Sequence, residues 1–389
     1  MSLRYWLPNV FDLMKRRDST VRSFTRGVSW PRTLRCVGND FTFEENRRCS
    51  ANFGCAGWGE NDDMSATTRA IRIHETGAPE VMRWEEIPLA EPKFGEVQLR
   101  HSFVGLNFID ANHRSGAYPL KSLPAVIGME GAGIIEAVGD GVVDFVEGDR
   151  VAYCMVLGAY AERRIIAADR LIPLGRDTTD EVAAAATLQG LTAHYLLHES
   201  WSVRNGDTVL VQAAAGGVGL LLCQWAKSKG ATVIGTVGSE QKAAYVSNYG
   251  CDYPVVYTNE DFAKKVLELT DQRGADVIYD AVGHDTLEKG IGCLAERGRI
   301  VSYGQSSGGV SSISLAGLRA RSASIACGGL GTFVRDPLER RCNAELLFGL
   351  IADGTLRLEI NQRYPLAEAV AAHTDLIQRR TMGSSIFVV

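Results

Sequence analysis

The chain has 389 residues, 46% of them apolar, and a formal charge of -5. Such a length can bury one or two ordinary cores, no apolar run approaches the roughly 20 residues that cross a bilayer as a helix, and the slight acidic excess does not suit a general nucleic-acid binder. Nine cysteines, an odd number with no Cys-x-x-Cys pair, point to reduced thiols in a cytosol-like compartment rather than to a disulfide frame.

Residues 1–66 differ in character from the rest of the chain. Between Met1 and Arg35 the basic residues Arg4, Lys15, Arg16, Arg17, Arg22, Arg26, Arg32 and Arg35 face only Asp12 and Asp18. That balance, with serine and threonine interspersed, resembles an organelle transit peptide. The lack of any helical or strand periodicity up to Asp63 equally fits a disordered extension or an upstream start codon. A cytoplasmic protein is expected, with a mitochondrial address as the alternative if the extension is a transit peptide.

From 67 to 190 the pattern is short strands separated by glycine, proline and acidic residues: Arg69–His74, Glu96–His101, Gly133–Val138 and Arg150–Tyr153. This spacing predicts a mostly antiparallel, barrel-like domain. At Asp207 the rhythm changes. Val209–Val211 read as a buried strand, Gly216, Gly217, Val218 and Gly219 as a turn, and Leu220, Leu221, Leu222, Trp225 and Ala226 as the apolar face of a helix closed by Gly230. Strand, glycine turn and helix in that order form a socket for a dinucleotide pyrophosphate, because small residues let backbone approach phosphate and the helix N-terminus offers free N–H groups. Ala214 stands where a strict G-x-G-x-x-G pattern has its first glycine; a purely structural turn is the competing reading.

Further strands are expected at Ala231–Val237, Pro254–Tyr257, Asp276–Val282 and Arg299–Tyr303, alternating with helices near Gln241–Tyr249, Glu260–Thr270 and Thr286–Ala295. Repeated strand-helix units imply a parallel sheet covered on both faces. A helix at Glu345–Asp353 and a last strand-helix-strand piece would return to the first domain. The fold class is therefore α/β, a doubly wound parallel sheet joined to a mostly antiparallel β domain.

The second strand of the socket ends at Gly238 and Ser239, where an NAD-specific site carries an acid. A 2′-phosphate would meet no repulsion there, and Lys242 follows in the first helical turn. Glu240 keeps use of NADH open. His194 and His198 have helix-pair spacing but no third ligand, so packed or exposed histidines are expected. Cys223 falls on the apolar helix face and reads as core.

Taken together, Gly105–Asp110, Arg114–Pro119, Gly128–Gly133, Gly148–Val151, Gln189–Thr192, Ala213–Gly219 and Gly383–Ser385 make the chain resemble the zinc-independent quinone oxidoreductases of the medium-chain dehydrogenase/reductase superfamily, the group that includes zeta-crystallin. The likeness runs over Thr68 to Val389. It implies a GroES-like catalytic domain at 67–190 and 330–389, a Rossmann NADPH-binding domain at 191–329, and a substrate cleft between them. Zinc-dependent relatives carry a cysteine where this chain has Asn107 and a His-Glu pair where it has Met129 and Glu130, so no metal is expected; Glu130 and Asp110 read as hydrogen-bonded structural carboxylates.

The resemblance brings Tyr257 and Arg379 to the 2′-phosphate with Lys242. It also sets Phe108, Thr192, Tyr195, Val282, Tyr303, Gly304, Ser306 and Leu330 along the cofactor. Asn107 is expected to polarise and orient the acceptor, and Tyr118 to donate a proton or else pack against the nicotinamide. Cys327-Gly-Gly-Leu330 departs from the Arg-Pro pair of close bacterial relatives, which points to a different loop shape there. The implied activity is NADPH-dependent reduction of a quinone or related electron-poor acceptor. Alternatives are reduction of an enone or enoyl thioester, or a low-turnover NADPH-binding crystallin-like or RNA-binding protein. Pairing as a homodimer through edge strands of the nucleotide domain is also implied.

Overall fold

The computed structural model describes residues 66–389, so the expected N-terminal extension lies outside the described residues up to position 65. Three sheets organise the described residues. Strands β1 (Thr67–Ile73) and β2 (Met82–Pro88) form an antiparallel ribbon, which the short β4 (Ala125–Val126) extends. The larger barrel sheet is built on the long β3 (Glu96–Leu106), which pairs with β5 (Glu130–Val138) and β7 (Arg163–Ala167); β6 (Arg150–Cys154) then pairs with β5 and β8 (Ile172–Pro173) with β6. Inward apolar residues such as Val97, Leu99, Val104, Ile135 and Val151 alternate along these strands and meet in one core.

The third sheet is entirely parallel. It comprises β9 (Thr208–Val211), β10 (Thr232–Val237), β11 (Tyr253–Val256), β12 (Ala275–Asp280), β13 (Leu294–Ser302) and β14 (Ser324–Cys327), in the spatial order β11-β10-β9-β12-β13-β14. Counted from β9 this is 3-2-1-4-5-6, the doubly wound order whose ligand crevice opens beyond the strand ends where the order reverses, between β9 and β12.

The interleaved helices are α3 (Gly217–Ser228), α4 (Glu240–Ser247), α5 (Phe262–Leu269), α6 (Leu287–Gly292) and α7 (Leu315–Ala320). The predicted helix Thr286–Ala295 is thus shorter than expected. Gly290 and Gly292 lie within it, both poor helix formers, and Leu294 already belongs to β13. Helix α9 (Pro337–Ala352) starts well before the expected Glu345, because Asp336 accepts from the Glu339 N–H and Pro337 takes the first turn, where no N–H is needed. The chain then returns through β15 (Ile360–Pro365), α10 (Ala369–Ile377) and β16 (Ser384–Val388), and β16 pairs antiparallel with β3.

Two helices escaped the strand-based reading of 67–190. Helix α1 (Phe108–Ser115) begins at Asn107, whose N–H donates to the Asp110 side chain at 2.8 Å, and ends at the left-handed Gly116. Helix α2 (Asp180–Tyr195) starts where Thr179 accepts from the Val182 N–H, and it runs through the expected domain boundary at 190. It is buried on all sides from Ala183 to Tyr195, so it carries no amphipathic stripe to read. A run of four alanines, Ala183–Ala186, lets the barrel strands approach it closely. The same core joins residues of the barrel (Met129, Ala152), of α2 and of the parallel sheet (Val209, Val277).

Candidate active site

Beyond β9 the backbone turns sharply. Ala213 takes a left-handed φ of 56°, which costs a residue with a Cβ roughly 1–2 kcal/mol. The tight position is therefore Ala213, one residue before the Ala214 that the sequence pattern singled out. Ala214 instead donates its N–H to Thr236 O at 3.0 Å and ties the turn to β10. Gly216 precedes α3 with no side-chain cap and is bridged in parallel to Gly383, so no side chain competes for the N–H groups that open α3. An added Cβ at Gly219 would overlap the backbone of Ala213 and Ala214, and one at Gly217 would overlap the Gln189 amide. The Gly219 contact is with backbone and cannot give, whereas a side chain at Gly217 would displace the end of Gln189.

The turn forms one wall of a cavity of about 680 Å³. Every residue expected from the sequence to meet cofactor or acceptor lines it except Ser239, whose hydroxyl instead accepts from the Lys242 N–H and caps α4. The cavity falls into two ends by the elements that supply it. At the α4 end, Lys242 Nζ donates to the carbonyls of Arg379 (2.7 Å) and Thr381 (3.1 Å), and Arg379 Nη1 donates to the Tyr257 hydroxyl (3.2 Å). Burial, and then the nearby Arg379 charge, hold the Lys242 ammonium below its usual range. Neither cation is ion-paired among the described residues. Glu240 turns away to accept from Asn259 Nδ2.

Along the middle, Val282, Tyr303, Gly304 and Ser306 follow the ends of β12 and β13. Asp280 holds this loop: it is fully buried and accepts from the N–H groups of Val282 and Gly283 (both 2.8 Å) and from Thr286 Oγ1 (2.7 Å). Gln212 also reaches the cavity, with its buried Nε2 unpartnered.

The other end is walled by α1, α2 and the loop before α8 (Leu330–Phe333). Thr192 donates to Leu188 O within its own helix, while Tyr195 donates to Gly328 O and stacks on Phe333 at 4.2 Å between centroids. Tyr118 is half-buried and stands edge-on to His113. Phe108, Met155 and Leu330 make this end largely apolar.

Asn107 is buried and anchored on both sides. Its Nδ2 donates to Glu130 Oε2 at 2.8 Å, and its Oδ1 accepts from Gln189 Nε2 at 3.3 Å. Glu130 Oε1 accepts from the Leu188 N–H at 2.5 Å, and Gln189 Oε1 accepts from Ser384 Oγ at 2.6 Å. Burial pushes the Glu130 carboxyl up to about 8, against the opposing pull of the Leu188 and Asn107 hydrogen bonds. Asp110, next to this chain, is likewise raised by burial to about 7 and accepts from the Tyr160 hydroxyl at 3.1 Å. Sequence reasoning missed Gln189 as a partner of Asn107 and Ser384 as a partner of Gln189, although both lie in segments that carried the family resemblance.

Among the described residues no three His, Cys, Asp or Glu side chains are grouped to hold a metal ion. His194 and His198 stack on each other at 4.5 Å, with His198 Nδ1 against His194 O and both rings beside Trp225. Cys223 is fully buried.

A doubly wound sheet with a glycine turn at its switch point, closing one cavity with a barrel domain, defines the architecture of the medium-chain dehydrogenases/reductases. Residues 93–176 match the family described as alcohol dehydrogenase GroES-like domain, and 217–347 the one described as zinc-binding dehydrogenase. A quinone oxidoreductase of Pseudomonas aeruginosa is 45% identical over 322 residues, covering 82% of this chain and 99% of the relative. A 2-haloacrylate reductase of a Burkholderia species is 40% identical over 328 residues, covering 82% and 98%. The crystal structure of Escherichia coli quinone oxidoreductase complexed with NADPH superposes with a TM-score of 0.81 at 40% identity, covering 83% of this chain and all of that one. The chain belongs to the quinone oxidoreductase family of the medium-chain dehydrogenase/reductase superfamily.

Proposed function

We propose that the protein is an NADPH-dependent reductase of quinones that works without a metal. The observation that carries this reading is the pairing of two unneutralised cations, Lys242 and Arg379, with the uncapped N-terminus of α3 on one cavity, opposite an apolar end that offers neutral amide and phenol donors. Adjacent cations without carboxylate partners suit a phosphorylated ligand, and the helix N-terminus suits a pyrophosphate. The solved relative bound to NADPH supports the same choice of nucleotide.

In this reading Gly216, Gly217, Val218 and Gly219 cradle the pyrophosphate. Gly238, Ser239, Lys242, Tyr257 and Arg379 receive the 2′-phosphate end, with Ser239 acting through its cap on α4. Phe108, Thr192, Tyr195, Val282, Tyr303, Gly304, Ser306 and Leu330 flank the rest. When bound, the nicotinamide supplies the hydride equivalent. Asn107 offers an amide hydrogen to the acceptor oxygen, where negative charge develops. Tyr118 donates the proton or packs against the ring, and the apolar walls exclude water.

A second reading, reduction of an activated alkene, is favoured by the relative named 2-haloacrylate reductase. Against an anionic acrylate stands the composition of the acceptor end: its polar side chains, among them Asn107, Asn112, Tyr118, Gln189 and Thr192, are uncharged, while Lys242 and Arg379 sit together at the α4 end. A neutral acceptor fits better. Steady-state NADPH oxidation with a benzoquinone, a 2-haloacrylate and a crotonyl thioester in parallel tests this. Fast turnover with the quinone is expected; tight NADPH binding with no acceptor-dependent oxidation would contradict the assignment.

The metal-free reading is supported by the bonding of Glu130, whose two oxygens already take N–H donors. Pairing as a homodimer is supported by β14, one of the two edge strands of the parallel sheet, whose far edge is unpaired among the described residues. No helix among the described residues is long and apolar enough to cross a membrane. A cytoplasmic location is proposed, with the basic N-terminal segment leaving a mitochondrial one as the alternative.

A further inference from the structure

We propose that Gln189 and Glu130 are positioning residues that clamp the Asn107 amide, and that Gly217 lacks a side chain in order to make room for that clamp. The inference rests on the role given to Asn107 above.

Its basis is a chain of hydrogen bonds whose direction is set when Glu130 is the ionised acceptor. The Leu188 N–H can only donate, and a carboxyl oxygen of Glu130 accepts it. The other Glu130 oxygen receives Asn107 Nδ2, which turns Asn107 Oδ1 toward Gln189 Nε2. That in turn leaves Gln189 Oε1 to accept from Ser384 Oγ. Amide groups have two ends of nearly equal shape and opposite polarity, so without such a chain Asn107 could present either end. With it, the second Nδ2 hydrogen is the one left without a protein acceptor, on a side chain that lines the cavity. Gln189, Glu130 and Ser384 are themselves nearly or fully buried, so water does not compete for these partners.

Gly217 completes the argument. A Cβ built there would overlap the Gln189 amide carbon and oxygen and lie 2.8 Å from its nitrogen. The glycine thus serves the acceptor end as well as the phosphate end. Through Gln189 the nucleotide turn touches the same amide that faces the acceptor.

The test is a double-mutant cycle on kcat with saturating NADPH and benzoquinone, run on the full chain with the NADPH dissociation constant measured alongside. Asn107→Ala is expected to lower kcat by about 100-fold, the scale seen when a donor to a developing oxyanion is removed. Gln189→Met should lower kcat about tenfold in the wild-type background and less than about twofold in the Asn107→Ala background, with the NADPH dissociation constant moved less than about twofold, since coupled groups lose their effect when the partner is gone. Gly217→Ala should repeat the kcat loss of Gln189→Met. If Gln189→Met does not accumulate folded, Glu130→Gln takes its place in the cycle with the same pattern expected. Equal losses of kcat in both backgrounds, or no loss in wild type, would overturn the clamp while leaving the quinone reductase reading intact. An Asn107→Ala variant with undiminished kcat would overturn the clamp and the role of Asn107 together, and failure of all proteins to oxidise NADPH would remove the functional reading itself.

Discussion

The two ends of the cavity are built on different plans. The proposed nucleotide end is built mainly on one contiguous stretch, β9, its turn and α3, with Lys242 and Tyr257 added by the following strand-helix units and Arg379 from the chain after α10; the proposed acceptor end is assembled from β3, α1, β5, α2 and β16, whose key residues, from Asn107 to Ser384, are spread over most of the chain. Backbone shape does most of the work at the first end, so small residues are needed there. Side-chain hydrogen bonds do it at the second, so residue type and burial decide. The contrast predicts that mutations at the nucleotide end act on binding and those at the acceptor end act on turnover.

At the nucleotide end the largest effect is expected from Gly219→Val, which forces a branched side chain into the backbone of Ala213 and Ala214. Overpacking of this kind costs about 1–3 kcal/mol, and here it falls on the phosphate turn, so NADPH affinity measured by nucleotide fluorescence should drop at least tenfold. Retained affinity would show that the turn is not the cradle. At the acceptor end, Tyr118→Phe separates its two roles: a proton donor should lose about 100-fold in kcat, whereas a packing residue should lose less than about threefold, with the NADPH dissociation constant unmoved in either case.

Smaller and more selective is Lys242→Glu. Reversing one charge beside a 2′-phosphate should raise the NADPH Michaelis constant by about tenfold or more, the scale of a charge-assisted hydrogen bond, and leave that for NADH nearly unchanged. Equal changes for both nucleotides would detach Lys242 from the 2′-phosphate.

The smallest prediction concerns stability and belongs to the acceptor end alone. Glu130 and Asp110 are raised by burial to about 8 and 7, so the folded state holds protons that the unfolded chain releases. Their stabilising contribution is full below about pH 4 and is lost as pH rises toward 8. His101 and His373 are lowered by burial to about 3; their contribution is present above about pH 6.5 and is lost as pH falls toward 3. Between pH 6.5 and 8 the carboxyls act without that opposition, and the melting temperature should decline by a few degrees. Glu130→Gln should flatten the decline; an unchanged slope would show that Glu130 does not titrate in this window.

Much of the parallel sheet was legible because local pattern and burial coincide there. Val209–Val211 form a strand buried from end to end, and Leu220 to Ala226 provide a helix face that packs on it. Helix α2 was not legible for the opposite reason: buried on every side, it shows neither a 3.6-residue stripe nor strand alternation, and its Thr179 cap and alanine run were the only local signals. Ser239 was read as a ligand contact from its place at the end of β10, but its hydroxyl is used to cap α4.

The amino-acid order by itself determined the doubly wound sheet, the glycine turn, the missing acid after β10 and the residue types around the cavity, because each of these is written in neighbouring positions. Only the tertiary structure decided that Ala213 rather than a glycine takes the left-handed turn, that Gly217 yields its space to Gln189, and that Glu130, Gln189 and Ser384 hold the Asn107 amide. Those contacts join residues separated by up to 195 positions, and hydrogen-bond direction exists only once the partners have met.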